Sequence, residues 1–115
     1  MATLNDRQDQ DFNILLVESI EKTVAQLLSS QVAEALFKNL ERTYSIKKDE
    51  IPNRLDALVS ILEDTFGEST KVLGKAIAKR FYSRLGLEFS NDPQKTLIDY
   101  IEKSKKQQPE QILGL

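Results

Sequence analysis

Residues 55–86 read LDALVSILEDTFGESTKVLGKAIAKRFYSRLG. Leu55, Leu58, Val59, Leu62 and Phe66 recur at steps of three, one, three and four, which lays one apolar stripe along an α-helix. Gly67 follows at once and offers the left-handed conformation that ends a helix. A second helix over residues 69–85 carries Val72, Leu73, Ala76, Ile77, Phe81 and Leu85 as its apolar face, with Ser69 as its cap and Gly86 as its stop. Gly74 lies inside it. An interior glycine costs about 1 kcal/mol relative to alanine, so its presence predicts a close helix–helix contact there. This helix–glycine–helix unit places the chain in the all-α class.

Outward from that unit the pattern stays helical. Phe12, Leu16, Ile20, Val24 and Leu27 form one line of a helix over residues 11–28, while Ile14, Val17 and Leu28 lie off that line. A helix wetted along its whole outer side does not normally look like this. Either it is a central helix packed on two sides, or one side meets another copy of the chain or a partner helix. Ser29 and Ser30 predict a cap or kink. A second helix then runs to Tyr44, with Val32, Leu36, Leu40 and Tyr44 four apart. Residues 45–53 connect it to the central unit. Ile46 and Ile51 anchor the connector, Pro52 predicts an extended Ile51, and Asn53 predicts an N-cap. Asn91-Asp92-Pro93 reads as the start of a fifth helix over residues 93–106, with Asp92 capping and Pro93 in the first position. Leu97, Ile98 and Ile101 face inward and Tyr100 lies off that line. Tyr44, Tyr82 and Tyr100 read as amphipathic residues at the edge of the core.

The 115 residues suffice for one domain. Apolar residues make up 40% and charged residues 30%, and there are only 4 Gly and 3 Pro, which permits long helices and argues against many hairpins. Cysteine is absent, which excludes disulfides and thiolate metal sites. Histidine is absent too, so the usual general base and the commonest transition-metal ligand are missing. Glu63-Asp64 is an acidic pair, but adjacent helix residues do not face each other and make a poor metal clamp. Nothing resembles a calcium loop, a P-loop or a dinucleotide turn. The expectation is therefore a protein that is not an enzyme, with no metal and no cofactor. No run of apolar residues is long enough to span a membrane, and no secretion signal is evident, so a cytoplasmic location is expected.

Net charge is −2, so any affinity for nucleic acid must rest on local charge. Residues 69–87 carry Lys71, Lys75, Lys79, Arg80 and Arg84 and no acid, whereas residues 1–45 carry seven acids against four bases. Lys71, Lys75 and Lys79 are four apart and repel one another mildly along one helix face. A phosphate backbone or an acidic partner would relieve that repulsion. The alternative is a solvated face paired with acids from neighbouring helices. The glycine between two helices also suggests a helix-turn-helix. Glu63 stands against it, four residues before Gly67, where a small residue normally lets the helices approach. Helix 69–85 holds no Asn or Gln to read base edges, though Arg80 and Arg84 are of the right type.

The run Ala35-Leu36-Phe37-Lys38-Asn39-Leu40-Glu41-Arg42-Thr43-Tyr44, then Lys48-Asp49-Glu50-Ile51-Pro52, Thr65-Phe66-Gly67 and Arg80-Phe81-Tyr82-Ser83-Arg84-Leu85-Gly86-Leu87, resembles a family of small helical output domains. These belong to ammonia-oxidising thaumarchaea and occur alone or joined to receiver and other signalling modules. The resemblance implies cytoplasmic signal output by contact with a partner. It brings no catalytic residue.

The expectation is thus a compact bundle of about five helices over residues 11–106, with a flexible tail at residues 1–10 and a second tail at 107–115. Its core draws on Leu16, Ile20, Leu36, Leu40, Leu58, Leu62, Phe66, Ile77, Phe81, Leu97 and Ile101. The expected function is a protein–protein interaction or signal-output module, self-associating through Ile14, Val17 and Leu28. Lys71, Lys75, Lys79, Arg80 and Arg84 would meet a partner or phosphate. The rival is a nucleic-acid-binding regulator using the basic helix over residues 69–85. A third reading is an enzyme or small-ligand carrier built on a closed apolar pocket.

Overall fold

Ser29 decides how the first half of the chain turns. Its backbone is extended, and its side chain accepts the Val32 N–H at 3.0 Å. That bond satisfies one of the free donors at a helix start and separates two helices where no glycine or proline intervenes. The computed structural model describes residues 3–107, with side chains from residue 11 onward. Five α-helices and one short 3-10 helix make up the fold, and the described residues contain no strand. They are α1 (Thr3–Leu27), α2 (Ser30–Tyr44), the 3-10 helix (Lys48–Asn53), α3 (Leu55–Phe66), α4 (Ser69–Leu85) and α5 (Leu97–Lys106).

The long first helix begins at Thr3 rather than near Asp11. It packs against α4, α2 and the 3-10 helix. Phe12, Leu16, Ile20 and Val24 recur every four residues and are all buried. Ser19 and Thr23, on an adjacent line, are buried as well. Ser19 returns its hydroxyl proton to the Leu15 carbonyl at 2.7 Å. Two-sided packing therefore accounts for most of the broad apolar surface of α1. Ile14, Leu27 and Leu28 remain exposed.

Three local expectations are corrected. Ile51 is not extended: it lies with Pro52 inside the 3-10 helix. That helix closes on Glu50 N–H to Lys47 carbonyl and Arg54 N–H to Ile51 carbonyl, both 2.9 Å, so the missing proline donor is never needed. Burial of Ile51 and Pro52 holds it in place. Arg54, not Asn53, occupies the cap position of α3, and its guanidinium pairs with Asp56. The last helix starts at Leu97, four residues after Pro93. Thr96 and Asp99 form a reciprocal capping box there, while Asp92 accepts the Gln94 N–H at 3.0 Å in a turn of its own.

At helix ends, Gly67 has φ +60° but ψ −129°, outside the left-handed helical region and open in practice only to glycine. Ser69 makes no cap; Glu68 precedes α4 without a side-chain cap bond. Ser45 ends α2 at φ 58°, ψ 39°, and its N–H closes on the Glu41 carbonyl at 3.0 Å. This is the left-handed closure with serine where glycine usually sits.

Of the expected core, Phe66 is only half-buried, and the others are buried. Tyr82 and Tyr100 are 1% exposed and belong to the interior rather than its edge. Tyr82 donates to the Tyr100 carbonyl at 2.6 Å, and Tyr100 donates to the Ser90 carbonyl at 2.9 Å while accepting the Asp92 N–H at 2.8 Å. With Phe89 stacked 4.8 Å from Tyr100, this network ties the 86–96 loop between α4 and α5. Burying these phenols is tolerated because each finds a partner. Beyond Gln107, the second expected tail lies outside the described residues.

Candidate functional site

Seven residues of α4 face inward: Thr70, Leu73, Gly74, Ile77, Ala78, Phe81 and Tyr82. They follow three- and four-residue steps, which leaves Val72 on the opposite side. Val72 is 70% exposed, not part of the apolar face. The cations divide around it. On the flank toward α1, Arg80 Nε donates to the Thr23 hydroxyl at 3.1 Å, and its terminal nitrogen donates to Gln26. Arg84 pairs with Glu18 at 3.2 Å. On the outer side and the other flank, Lys75 donates to the Asn91 side chain at 2.7 Å. Lys71 and Lys79 are exposed and make no ion pair among the described residues. The five basic residues are thus one row in sequence and two sets in space.

Lys71, Val72 and Lys75 border a groove of about 480 Å³ between α3, α4 and residues 93–98. Leu62, Val59, Leu97 and Ile98 supply apolar lining. Lys95 joins the two lysines at the rim, and Glu63 is the acid among the lining residues. Lys95 also lies 3.8 Å from Asp92. At its α4 wall the Thr70 hydroxyl is buried with no hydrogen-bond partner among the described residues. Gly74 approaches the start of α5 closely: a Cβ built on it would stand 3.4 Å from the Cβ of Leu97. The expected close contact is there, at a distance that still admits a methyl group.

No protein-family model, curated protein or solved structure matches this chain.

The residues expected to self-associate do not form one patch. Ile14 and Val17 line a second depression of about 470 Å³ with Asn13, Glu18, Lys48 and Asp49. Lys48 at its edge pairs with Glu21 at 3.0 Å and sits 4.8 Å from the ring centre of Phe37. Leu28 lies roughly 21 Å farther along the axis of α1, at 1.5 Å per residue. Leu27 and Leu28 are half-exposed there.

The surroundings shift Asp56, Arg54 and Tyr82 away from their ordinary values. Asp56 is held below the ordinary aspartate value by its hydrogen bond to Arg54, whose own value is raised by the same bond. Both groups are solvent-exposed, so the pair is a local clip rather than a reactive centre. Burial pushes the Tyr82 phenol above the usual tyrosine range. Among the described residues, no group of three acids is placed to hold a metal ion, and no helix is long and apolar enough to cross a membrane.

Sequence reading found the lysines but missed the groove. Its walls come from three separated segments, and one of them, residues 93–98, was expected to be helix. The available signal was Val72: a residue opposite Gly74, Ile77 and Phe81 on the helical wheel cannot share their buried face.

Proposed function

We propose that this chain is a non-enzymatic protein–protein interaction module, the output element of a cytoplasmic signalling system, which meets its partner through the outer side of α4. The carrying observation is the division of the basic helix. Arg80 and Arg84 are engaged with α1, whereas Lys71, Val72 and Lys79 stand outward together. An exposed aliphatic residue set among lysines suits a contact surface with an apolar centre and a charged surround. Ile14 and Val17 offer a second surface, on which self-association of the chain would rest.

The rival is a nucleic-acid regulator. A lysine row alone would give phosphate contact without sequence readout. The two arginines suited to base edges point toward α1 and are engaged there, which favours a protein partner.

Site-specific photo-crosslinking in the native cell tests the reading. A photoreactive residue is placed at position 72, at position 14, and at exposed Thr43 as control. Discrete protein adducts at 72, absent at 43, are expected. Adducts to nucleic acid at 72 would support the rival, and no discrete adduct at either 72 or 14 would refute the interaction reading.

A further inference from the structure

We propose that the groove between α3, α4 and residues 93–98 binds an acidic amphipathic helix of a partner protein, with that helix's apolar residues set over Val72 and Ile98 and its carboxylates on Lys71, Lys75 and Lys95. This rests on the interaction reading above and names the class of partner.

Three observations lead to that occupant. The groove pairs apolar surface from Val72 and the half-buried Val59 and Ile98 with a rim of three lysines against Glu63 and Asp92, the latter 3.8 Å from Lys95. Apolar contact supplies affinity, and the unbalanced positive rim selects an acidic ligand and repels a basic one. Its walls are also helical. The described residues offer no strand edge to which an extended peptide could add, while α3 and α4 present the side-by-side ridges against which a third helix packs. The length agrees as well. Lys71 and Lys75, the α4 lysines that line the groove, stand about 6 Å apart along the axis, one turn of a helix laid beside it. Apolar residues at three- and four-residue steps, flanked by glutamates one turn apart, match that row. The volume of about 480 Å³ lies within the range of pockets that enclose several apolar groups.

Val72 is the residue that most needs a cover. At 70% exposure it contributes nothing evident to the core, and a polar residue there would serve the isolated fold equally well. On a bound helix it becomes the centre of the contact, with Lys71 and Lys75 beside it.

The test is a titration of the 115-residue chain with a synthetic helical peptide of about four turns. The probe carries leucines at alternating three- and four-residue steps, glutamates on both flanks and a fluorescent label. A matched peptide has lysine in place of every glutamate. The acidic probe is expected to bind, with amide shifts concentrated at residues 59–63, 70–75 and 93–98. Val72→Asp and the Lys71→Glu/Lys75→Glu pair are each expected to weaken binding at least about tenfold, with unchanged melting temperatures. The lysine peptide should not bind.

Equal binding of both peptides, or no binding of the acidic one, overturns the proposal. Shifts gathered around Ile14 and Val17 overturn the groove but leave the interaction reading standing, whereas the absence of crosslinked adducts removes that reading itself. Two other occupants have their own signatures, and either would overturn the proposal. Nuclear Overhauser contacts from Ile112 or Leu113 to Val72 in the free protein would place the chain's own C-terminal segment in the groove. A concentration-dependent dimer abolished by Val72→Asp would place a second copy there.

Discussion

Arg80 and Thr23, 57 positions apart, meet across the α1–α4 interface, where the guanidinium Nε donates to the threonine hydroxyl at 3.1 Å. Thr23 is buried, so this bond satisfies a polar group that water does not reach. It also fixes which side of the basic helix faces inward. Arg80→Met is expected to lower unfolding free energy by about 1–2 kcal/mol, because it removes a charge-assisted bond and leaves the hydroxyl to its own helix. Urea denaturation measures it. In a double-mutant cycle, Thr23→Val should have little further effect once Arg80 is gone.

The Tyr82 phenol gives a pH signature. Its hydroxyl donates to the Tyr100 carbonyl at 2.6 Å, and burial raises its ionisation above the ordinary value. A group whose folded value is raised contributes fully below its unfolded value, about 10 for tyrosine, and that contribution is lost as pH rises through the folded value. Melting temperature should therefore fall on the alkaline side, above about pH 10. Tyr82→Phe should lower stability at neutral pH by about 1–2 kcal/mol and flatten that alkaline decline. Thermal melts across the alkaline range test both.

Ser45 sits in the left-handed region at the end of α2. A non-glycine residue there is strained by roughly 1–2 kcal/mol, partly offset by the extra unfolded-state freedom of glycine. Ser45→Gly should raise stability by about 0.5–1 kcal/mol in urea denaturation, and Ser45→Val should lower it.

Gly74 tests how close α4 and α5 are. The space admits one methyl group at ordinary contact distance from Leu97. Gly74→Ala should therefore be neutral or stabilise by up to about 1 kcal/mol through helix propensity. Gly74→Val should destabilise, since its further methyls meet Leu97. A stability loss in the alanine variant would show a tighter contact.

What the sequence made legible follows from period. The four-residue lines of α1 and α2, and the stripe of α3 ending at Gly67, depend on nothing but local spacing, and they stand except at Leu27, which is exposed at the end of α1. Ser29 as a cap was readable for the same reason. The start of α5 was not. Asp92-Pro93 and Thr96-x-x-Asp99 are both sound start signals in the sequence, and the choice between them is made by Tyr100, whose phenol holds the Ser90 and Asp92 backbone in a loop. Val72 misled because adjacent Leu73 is core and a wide apolar face seemed natural. Helical spacing already puts Arg80 and Arg84 on a different line of α4 from Lys71, Lys75 and Lys79. That α1 lies beside the arginine line is a tertiary fact beyond local reading.

The central claim is that the two flanks of α4 have different roles, one structural and one for contact. It is tested most directly by comparing a Lys71→Glu/Lys75→Glu/Lys79→Glu triple variant with an Arg80→Glu/Arg84→Glu double variant, each carrying the photoreactive residue at position 72 and each melted in vitro. The triple variant is expected to melt within about 2 °C of the parent yet lose its crosslinked protein adduct, while the double variant melts lower by about 5 °C or more. A triple variant that unfolds, or one that keeps its adduct while the double variant melts like the parent, would contradict the account.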